Sequence, residues 1–566
     1  MVLLQYLRFL VLRGLESLLV LIPLGLCWLL GGLMGRAAYL ALPGRRRMVH
    51  RNVRLAFEAE MGKRECRRIA RRHFACLGRN LLCGLKLARM RSAAVEKRVR
   101  YENRQAILER VEEGRGVIAA WVGMGPAELF FLAAVLGPGV ESGLLHEEHS
   151  NRFWERRFAR SRLRDGVKLF PLHRELSSPM QHLREGGGLG ILIDRTTSEE
   201  GVWTPLFGRL TLSSGLAALL SLRTGAAIVP VGVYSAGIAR WRICYGTPVI
   251  CPRNMGIEEA DAARTTAQLA ASLEQLIRRA PEEWFWMRDR WKTPAPEFLL
   301  SGQGWPVEYP PGMDNAPLKP FRILVRSPNW LGDACMAVPA VRALKKGRPD
   351  AEITVLCNDN LRELWEHVRH VDRVIPKPPK AFLLGVAARI AREGPWDAGV
   401  LFPNSPRSAL EMKLGRVPLL IGYGGRGRSL LLNRRLVEKA TSGPPEHHAR
   451  RYLRIAEALG ADGTDPKLFS ARDHQPPFAG KWRIGLCPGA AYGDAKRWPV
   501  ERYAKVVEKL HERLKGKVDW VIYGPNRLCD YVECSIPSAT SSKRFISRGC
   551  VVSQFHQYLC GSGAHI

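Results

Sequence analysis

The sequence has no Cys-x-x-Cys pair, no internal repeat and few acidic side chains. Its 13 cysteines are scattered singly, many in apolar surroundings, as at Cys244, Cys335 and Cys357. That excludes a zinc ribbon and a disulfide framework, and fits reduced cytosolic thiols. Asp and Glu number 53 against 86 Lys and Arg, a formal net charge of +33. An anionic partner is expected from this: nucleic acid, phosphate-rich lipid or an anionic membrane. With 46% hydrophobic and 25% charged residues, a wholly disordered or collagen-like chain is excluded. A length of 566 residues calls for several domains.

The charge is unevenly placed. Residues 1–100 carry a net +16, residues 101–320 a net of zero, and residues 321–566 a net +17. The first cluster directly follows an apolar stretch. Between Glu16 and Arg36 lie 19 residues without charge, SLLVLIPLGLCWLLGGLMG. As a helix these would span about 28 Å, close to one hydrocarbon thickness. Arg36, Arg45, Arg46, Arg47, Arg51 and Arg54 come next and, by the positive-inside rule, mark a cytoplasmic flank. Pro23, Gly31 and Gly32 weaken a straight span, so a helix lying in the interface is the alternative. A buried core helix is the bland reading, and a cleaved signal peptide is disfavoured because no small-x-small site precedes the arginines. The expected location is the cytoplasmic face of the cell inner membrane. No nucleic-acid-binding motif occurs and the arginine runs abut the apolar segment, so no nucleic-acid partner is expected.

Residues 1–42 read as a membrane-associated helical segment. From Arg45 to about Arg100, apolar residues recur at helical spacing among arginines. Strand-like runs at 116–122, 189–194 and 226–234, with helical segments between them, predict a mixed α/β domain over 43–300. Residues 301–320, rich in Pro and Gly, read as a linker. The strand FRILVRS at 321–327, a Gly-Asp turn, a helix from Ala337 to Lys346 and a strand at 352–357 predict a Rossmann-like lobe over 321–475. A further unit opens with RIGLCPG at 483–489, continues through a helix near Glu501–Leu514 and reaches the strand VDWVIYG at 518–524. Residues 481–524 therefore read as the start of a second lobe, and 525–566 as an atypical tail.

The segment 191–234 resembles the lipid A biosynthesis acyltransferases of the lysophospholipid acyltransferase superfamily. The Asp194 turn, PLFGR at 205–209, RTGAAIVPV at 223–231 and PEEWFWMRDRWK at 281–292 carry the resemblance, which covers about residues 1–300. It implies acylation of a hydroxyl on a phosphorylated glycolipid by an acyl thioester, with acyl carrier protein as the donor's carrier. It also implies a His followed four residues later by a carboxylate, to deprotonate that hydroxyl. In GVIAAWVGMGPAELF, Glu128 takes the carboxylate position and Gly123 stands where the His is expected. No His lies between His73 and His146. His146 and His149 are the nearest alternative bases, against a plain reading as polar loop residues. Asp194 and Arg209 are carried over as residues that bind the glycolipid head group or order the site.

From Phe321 the chain resembles the ADP-heptose–lipopolysaccharide heptosyltransferases of glycosyltransferase family 9, closest to the type that adds the second heptose. RILVRSPNWLGDACMAVPAVRALK (322–345), LFPNSPRSALEMKLGRVPLLIGY (401–423) and CPGAAYGDAKRWPVERYAKV (487–506) carry it, in order. The resemblance implies Asp333 as the base that activates the acceptor hydroxyl, with helix capping as the plain alternative. It implies Lys496 at the donor diphosphate without a metal, and Gly489 where backbone N–H groups approach phosphate. Asn404 and Ser405 are expected to line the cleft and Arg407 to contact the acceptor, against turn-forming and surface roles. Nothing after Gly524 matches the family's nucleotide-sugar loop, and a truncated or frame-shifted C-terminus is the expectation.

The fold class read from all this is α/β. An N-terminal membrane helix and a mixed α/β acyltransferase-like domain precede a two-lobed Rossmann-like (GT-B) glycosyltransferase with an incomplete second lobe. The expected function is lipopolysaccharide biosynthesis: heptosyl transfer from ADP-heptose to a Kdo/heptosyl-lipid A acceptor, fused to an acyltransferase-like module lacking its catalytic His. No cofactor and no metal are expected. The alternative is a non-catalytic, glycolipid-binding membrane scaffold with both modules degenerate.

Overall fold

The structure is a computed structural model. It describes residues 6, 13–14, 16–19, 21–131, 139–147, 151, 153, 155–157, 166–172, 176–194, 201–252, 258–288, 290–291, 307–313, 318–348, 350–378, 381–425, 427–438, 446–469, 482–487, 498–514, 518–524 and 545–549. The chain divides into two compact units, Met1–Phe321 and Arg322–Ile566.

The first unit opens with two helices, α1 (Leu24–Ala41) and α2 (Pro43–Leu87), the latter broken at Gly62 with φ +73°. Pro23 stands at the N-cap of α1, so the uncharged run is not one straight helix. The glycines that weaken a span have a contact role. A Cβ at Gly31 would lie 2.5 Å from the Gly78 carbonyl oxygen, and one at Gly35 would lie 2.0 Å from that of Phe74. The two helices therefore meet backbone to backbone, as small residues allow. Arg79 of α2 stacks on Trp28 of α1, 3.8 Å from the ring centroid. The leucines of α1 are left outside: Leu26, Leu29, Leu33 and Leu40 are exposed, Leu40 by 72%.

Behind these helices lies a seven-stranded sheet with a separate hairpin. The strands are β1 (Val99–Glu102), β2 (Val117–Trp121), β3 (Ser142–His146), β4 (Lys168–Pro171), β5 (Gly188–Leu192), β6 (Val202–Leu206), β7 (Arg209–Ser213), β8 (Ala227–Ser235) and β9 (Trp241–Tyr245). The sheet order is β1-β9-β8-β2-β5-β3-β4, with β6 and β7 forming the hairpin. β2 pairs in parallel with both β5 and β8, and all its residues are buried, which is why its sequence is continuously apolar. Only β8–β9 is antiparallel within the sheet. α3 (Leu216–Thr224) and α4 (Glu258–Arg279) pack against each other.

The PLFGR block is the turn of the β6–β7 hairpin. Phe207 and Gly208 both have positive φ, +53° and +72°, as a two-residue turn between right-twisted strands requires. Phe207 is buried among Phe57, Trp284, Trp286 and Trp291, with the Phe57 centroid 4.9 Å away. Two of the sequence blocks therefore meet in one aromatic cluster.

The stretch read as a linker is fastened to that hairpin near both ends of its described part. Val307 bridges Trp203, the Lys319 N–H donates to the Gly208 carbonyl at 2.6 Å, and Arg209 donates to the Pro320 carbonyl at 2.8 Å. A Pro- and Gly-rich composition reports irregular backbone, and irregular backbone can still bond to a hairpin's free edges.

The second unit begins with β10 (Phe321–Arg326), α5 (Leu331–Gly347), β11 (Ala351–Asn358), β12 (Arg373–Lys377), β13 (Ala398–Leu401), α6 (Pro406–Leu414), β14 (Leu420–Tyr423), β15 (Arg434–Leu436) and α7 (His448–Glu457). The sheet order is β12-β11-β10-β13-β14-β15. Counted from its own first strand this is 3-2-1-4-5-6, the doubly wound order. A smaller parallel sheet follows, with β16 (Trp482–Leu486), α8 (Val500–Arg513), β17 (Val518–Gly524) and β18 (Phe545–Gly549) in the order β16-β17-β18. β18 falls within the segment read as an atypical tail; the rest of that tail lies outside the described residues.

Candidate functional site

In the first unit the carboxyl ends of the neighbouring strands β2 and β5 lead to Gly123 and Asp194. The Asp194 carboxylate accepts from the Gly123 N–H at 2.9 Å and from the Trp284 indole N–H at 2.7 Å, both on Oδ2. A Cβ at Gly123 would lie 2.7 Å from that same oxygen. The space where a residue-123 side chain would start is therefore held by a carboxylate. Gly123, Asp194, Trp284, Arg288 and Arg290 line a cavity of about 80 Å³. Burial pushes the Arg290 guanidinium down to about 10, partly offset by Asp194. Arg290 donates to the Leu212 carbonyl and the Ser213 hydroxyl, which ties the cavity to β7.

Glu128 lies in a short turn after β2 and faces α2; a Cβ at Gly84 would lie 2.5 Å from its Oε2. Arg209 is buried on the hairpin, outside the cavity lining. His146 ends β3 and bonds Glu155 at 3.0 Å; His149 lies outside the described residues. Trp284 as the indole that holds Asp194 was missed by sequence reasoning. The only signal was its place in the WFW block.

In the second unit the chain leaves β10, lays strands to one side, then returns to β13 on the other. β10 and β13 pair in parallel with Arg326 opposite Leu401, so their carboxyl ends form the switch point where such sheets bind ligands. Asp333 enters there from the first turn of α5, where a carboxylate is favoured by the helix dipole. Its Oδ1 lies 3.4 Å from Nδ1 of His448, at the start of α7. His448 stacks on Tyr452, whose ring meets Phe402 edge-on, both pairs with centroids 5.0 Å apart. Burial and the Asp333 charge both keep the Tyr452 hydroxyl protonated. His448 was not singled out from the sequence. The signal was His447-His448 ahead of an amphipathic helix, with His447 as the cap that accepts from the Ala449 N–H.

After β13, Asn404 presents a buried Oδ1 with no hydrogen-bond partner among the described residues. Beside it, Arg428 is fully buried and donates to the Pro403 carbonyl. Burial pushes that guanidinium down to about 10, helped by Arg451. Ser405 caps α6, accepting from the Ser408 N–H at 3.2 Å. The Arg407 guanidinium is engaged by Glu411 at 3.1 Å and by the Ala381 carbonyl. Glu411 also faces the buried Arg326, 3.7 Å away. Lys496 and Gly489 lie outside the described residues.

With both sites in view, the chain belongs to the bacterial lipid A biosynthesis acyltransferase family, whose model matches residues 1–293. Residues 387–518 match a second family model, glycosyltransferase family 9 (heptosyltransferase); that match begins after the Asp333 block. Lipopolysaccharide heptosyltransferase 2 of Salmonella typhimurium strain LT2 is 31% identical over 217 residues, 34% of this chain and 60% of the relative. Its counterpart from Escherichia coli K12 is 30% identical over 217 residues, with the same shares. The chain thus spans about 60% of the length of these curated relatives. The solved E. coli ADP-heptose lipopolysaccharide heptosyltransferase II has a TM-score of 0.35 and 24% identity, covering 40% of this chain and 72% of its own.

Proposed function

We propose that the protein works in lipopolysaccharide assembly at the cytoplasmic face of the inner membrane, with its second unit transferring heptose from ADP-heptose to a Kdo/heptosyl-lipid A acceptor. The observation that supports this best is the carboxylate of Asp333 at the switch point of a doubly wound sheet. There it takes the proton of the acceptor hydroxyl as that oxygen attacks the anomeric carbon. The bond from the anomeric carbon to the diphosphate oxygen breaks, and ADP leaves with the electron pair, inverting the centre. His448 orients the carboxylate, and the buried, unsatisfied Oδ1 of Asn404 accepts from a sugar hydroxyl. Lys496 and Gly489 are assigned to the donor diphosphate, Ser405 to holding the Asn404 turn, and Arg407 to the acceptor side.

The first unit has a second reading, supported by the Asp194 carboxylate filling the place of a missing His. In that reading Asp194, Glu128 and Arg209 maintain a fold that docks glycolipid without acylating it. α1 lies in the interface rather than crossing the bilayer, because the arginine-rich α2 runs against it backbone to backbone.

Purified full-length chain supplied with ADP-heptose and the Kdo/heptosyl-lipid A acceptor should release ADP. Asp333→Asn should slow release by about a hundredfold to ten-thousandfold with the fold retained. Full activity of that variant would remove Asp333 from the mechanism. In the same assay acyl-thioester transfer should stay at background before and after Gly123→His, because the new side chain meets Asp194. Acyl transfer by the unmodified chain would overturn the docking reading.

A further inference from the structure

The first unit has a second cavity, larger than the one at Asp194. It measures about 560 Å³ and lies between α1 and α2, lined by Arg36, Arg71, Arg72 and Arg79 with Tyr39 and Leu40. It shares no lining residue with the Gly123–Asp194 cavity. One carboxylate, Glu282, sits at its wall and faces Arg72 at 3.8 Å. Among the described residues no ion-pair partner accompanies Arg36, Arg71 or Arg79, and the Arg79 Nε is buried without a hydrogen-bond acceptor. Four guanidinium groups face one carboxylate in the lining, with the buried Glu283 acting on Arg79 from behind, which still leaves positive charge in excess for an anion. Arginine suits phosphate oxygens because its planar fork donates two parallel hydrogen bonds.

What kind of phosphate follows from the next feature along α1. Leu26, Leu29, Leu33 and Leu40 recur at three-, four- and seven-residue steps, form one exposed stripe, and end at Leu40 in the cavity wall. An apolar groove leading into an arginine pocket matches a molecule with an acyl chain at one end and a phosphate at the other. We propose that this cavity is a headgroup site for an anionic glycerophospholipid of the bilayer, whose phosphate sits among Arg36, Arg71, Arg72 and Arg79 while its chains lie along the α1 stripe. The site deepens the membrane reading of α1 and rests on it. It is a docking site, separate from the Gly123–Asp194 cavity, and it fixes which face of the first unit meets the membrane.

The test uses the full chain in flotation with two kinds of vesicle, phosphatidylcholine alone and phosphatidylcholine doped with phosphatidylglycerol. Soluble dihexanoyl-phosphatidylglycerol is titrated in parallel. The unmodified chain should prefer the doped vesicles and bind the soluble lipid. Arg36→Gln with Arg71→Gln, both exposed and safe for folding, should weaken binding to doped vesicles by roughly thirtyfold. Binding to neutral vesicles should remain, which also shows that the variant is folded. The control pair Arg223→Gln with Arg264→Gln removes the same charge elsewhere and should leave the preference intact.

An equal loss from the control pair would mean diffuse attraction and overturn the site. Saturation of the cavity by inorganic phosphate alone would overturn the assignment to phospholipid, and so would a double variant that loses binding of a phosphorylated glucosamine-disaccharide lipid while keeping that of phosphatidylglycerol. Vesicle binding without any preference for the doped kind sinks the pocket and leaves the membrane reading of α1 standing. Binding of the soluble lipid but of neither vesicle supports the pocket and sinks that membrane reading.

Discussion

His73 is buried in α2 with one ring nitrogen against the Glu282 carbonyl at 3.1 Å. Burial holds its imidazole down at about 4, against an ordinary 6.5. Since the folded value is the lower one, the neutral ring's stabilising effect is complete above about pH 6.5 and is lost as pH falls toward 4. Moving from pH 7 to pH 5 should therefore cost about 2 kcal/mol of unfolding free energy, and His73→Phe should remove most of that dependence in urea titrations at the two pH values. A flat response in the unmodified chain would show that His73 is not buried neutral. At the same scale, Asp194 and Asp333 were legible because each follows an apolar run of strand type. Their partners Trp284 and His448 were not, because 90 and 115 residues separate the pairs and no local pattern joins them. Ser405 and Arg407 stood in a legible block as well, yet one is a helix cap and the other is turned onto Glu411.

At the scale of elements, strands buried on both sides were the easiest to read: the runs at 116–122, 189–194 and 226–234 are β2, β5 and β8. Helical spacing continued on paper to Arg100, while the chain turns into β1 at Val99, whose pairing with β9 is set 142 residues away. Tertiary pairing overrode the local pattern there. The glycines of α1 misled for a related reason, since a glycine's low helix propensity is visible in sequence and its contact is not. Gly35→Leu should push α1 off α2, because even a Cβ meets the Phe74 carbonyl at 2.0 Å. The expected loss is about 1–3 kcal/mol, the usual cost of overpacking, read as a lower unfolding midpoint in detergent. An unchanged midpoint would mean that the helices are not in backbone contact.

For the whole molecule, two compact units predict two unfolding transitions. Val307→Asp removes an apolar side chain packed on the β6–β7 hairpin, and Lys319→Ala removes a bond from the same stretch to the Ala56 carbonyl of α2. Calorimetry should show the first unit's transition fall, by an amount equivalent to about 1–3 kcal/mol, while the second unit's stays in place. Movement of both together would mean that the units melt as one. Domain content was legible at this scale because each unit carries its own alternation of strands and helices. The fastening of the Pro- and Gly-rich stretch was not legible, since hydrogen bonds from irregular backbone leave no periodic trace. The net +33 became meaningful only once position was added. Part of it gathers around a cavity beside exposed leucines, where like charges stay together because something anionic is expected to join them.

Because Gly31 and Gly35 spend no side chains on the α1–α2 contact, most of the leucine on α1 remains on the outside. The tighter the helix pair closes, the greasier the surface it shows to solvent. Away from lipid or detergent such a plate is free to bury its leucines against another copy of itself. Its tendency to clump in plain buffer should thus rise with the quality of its folding.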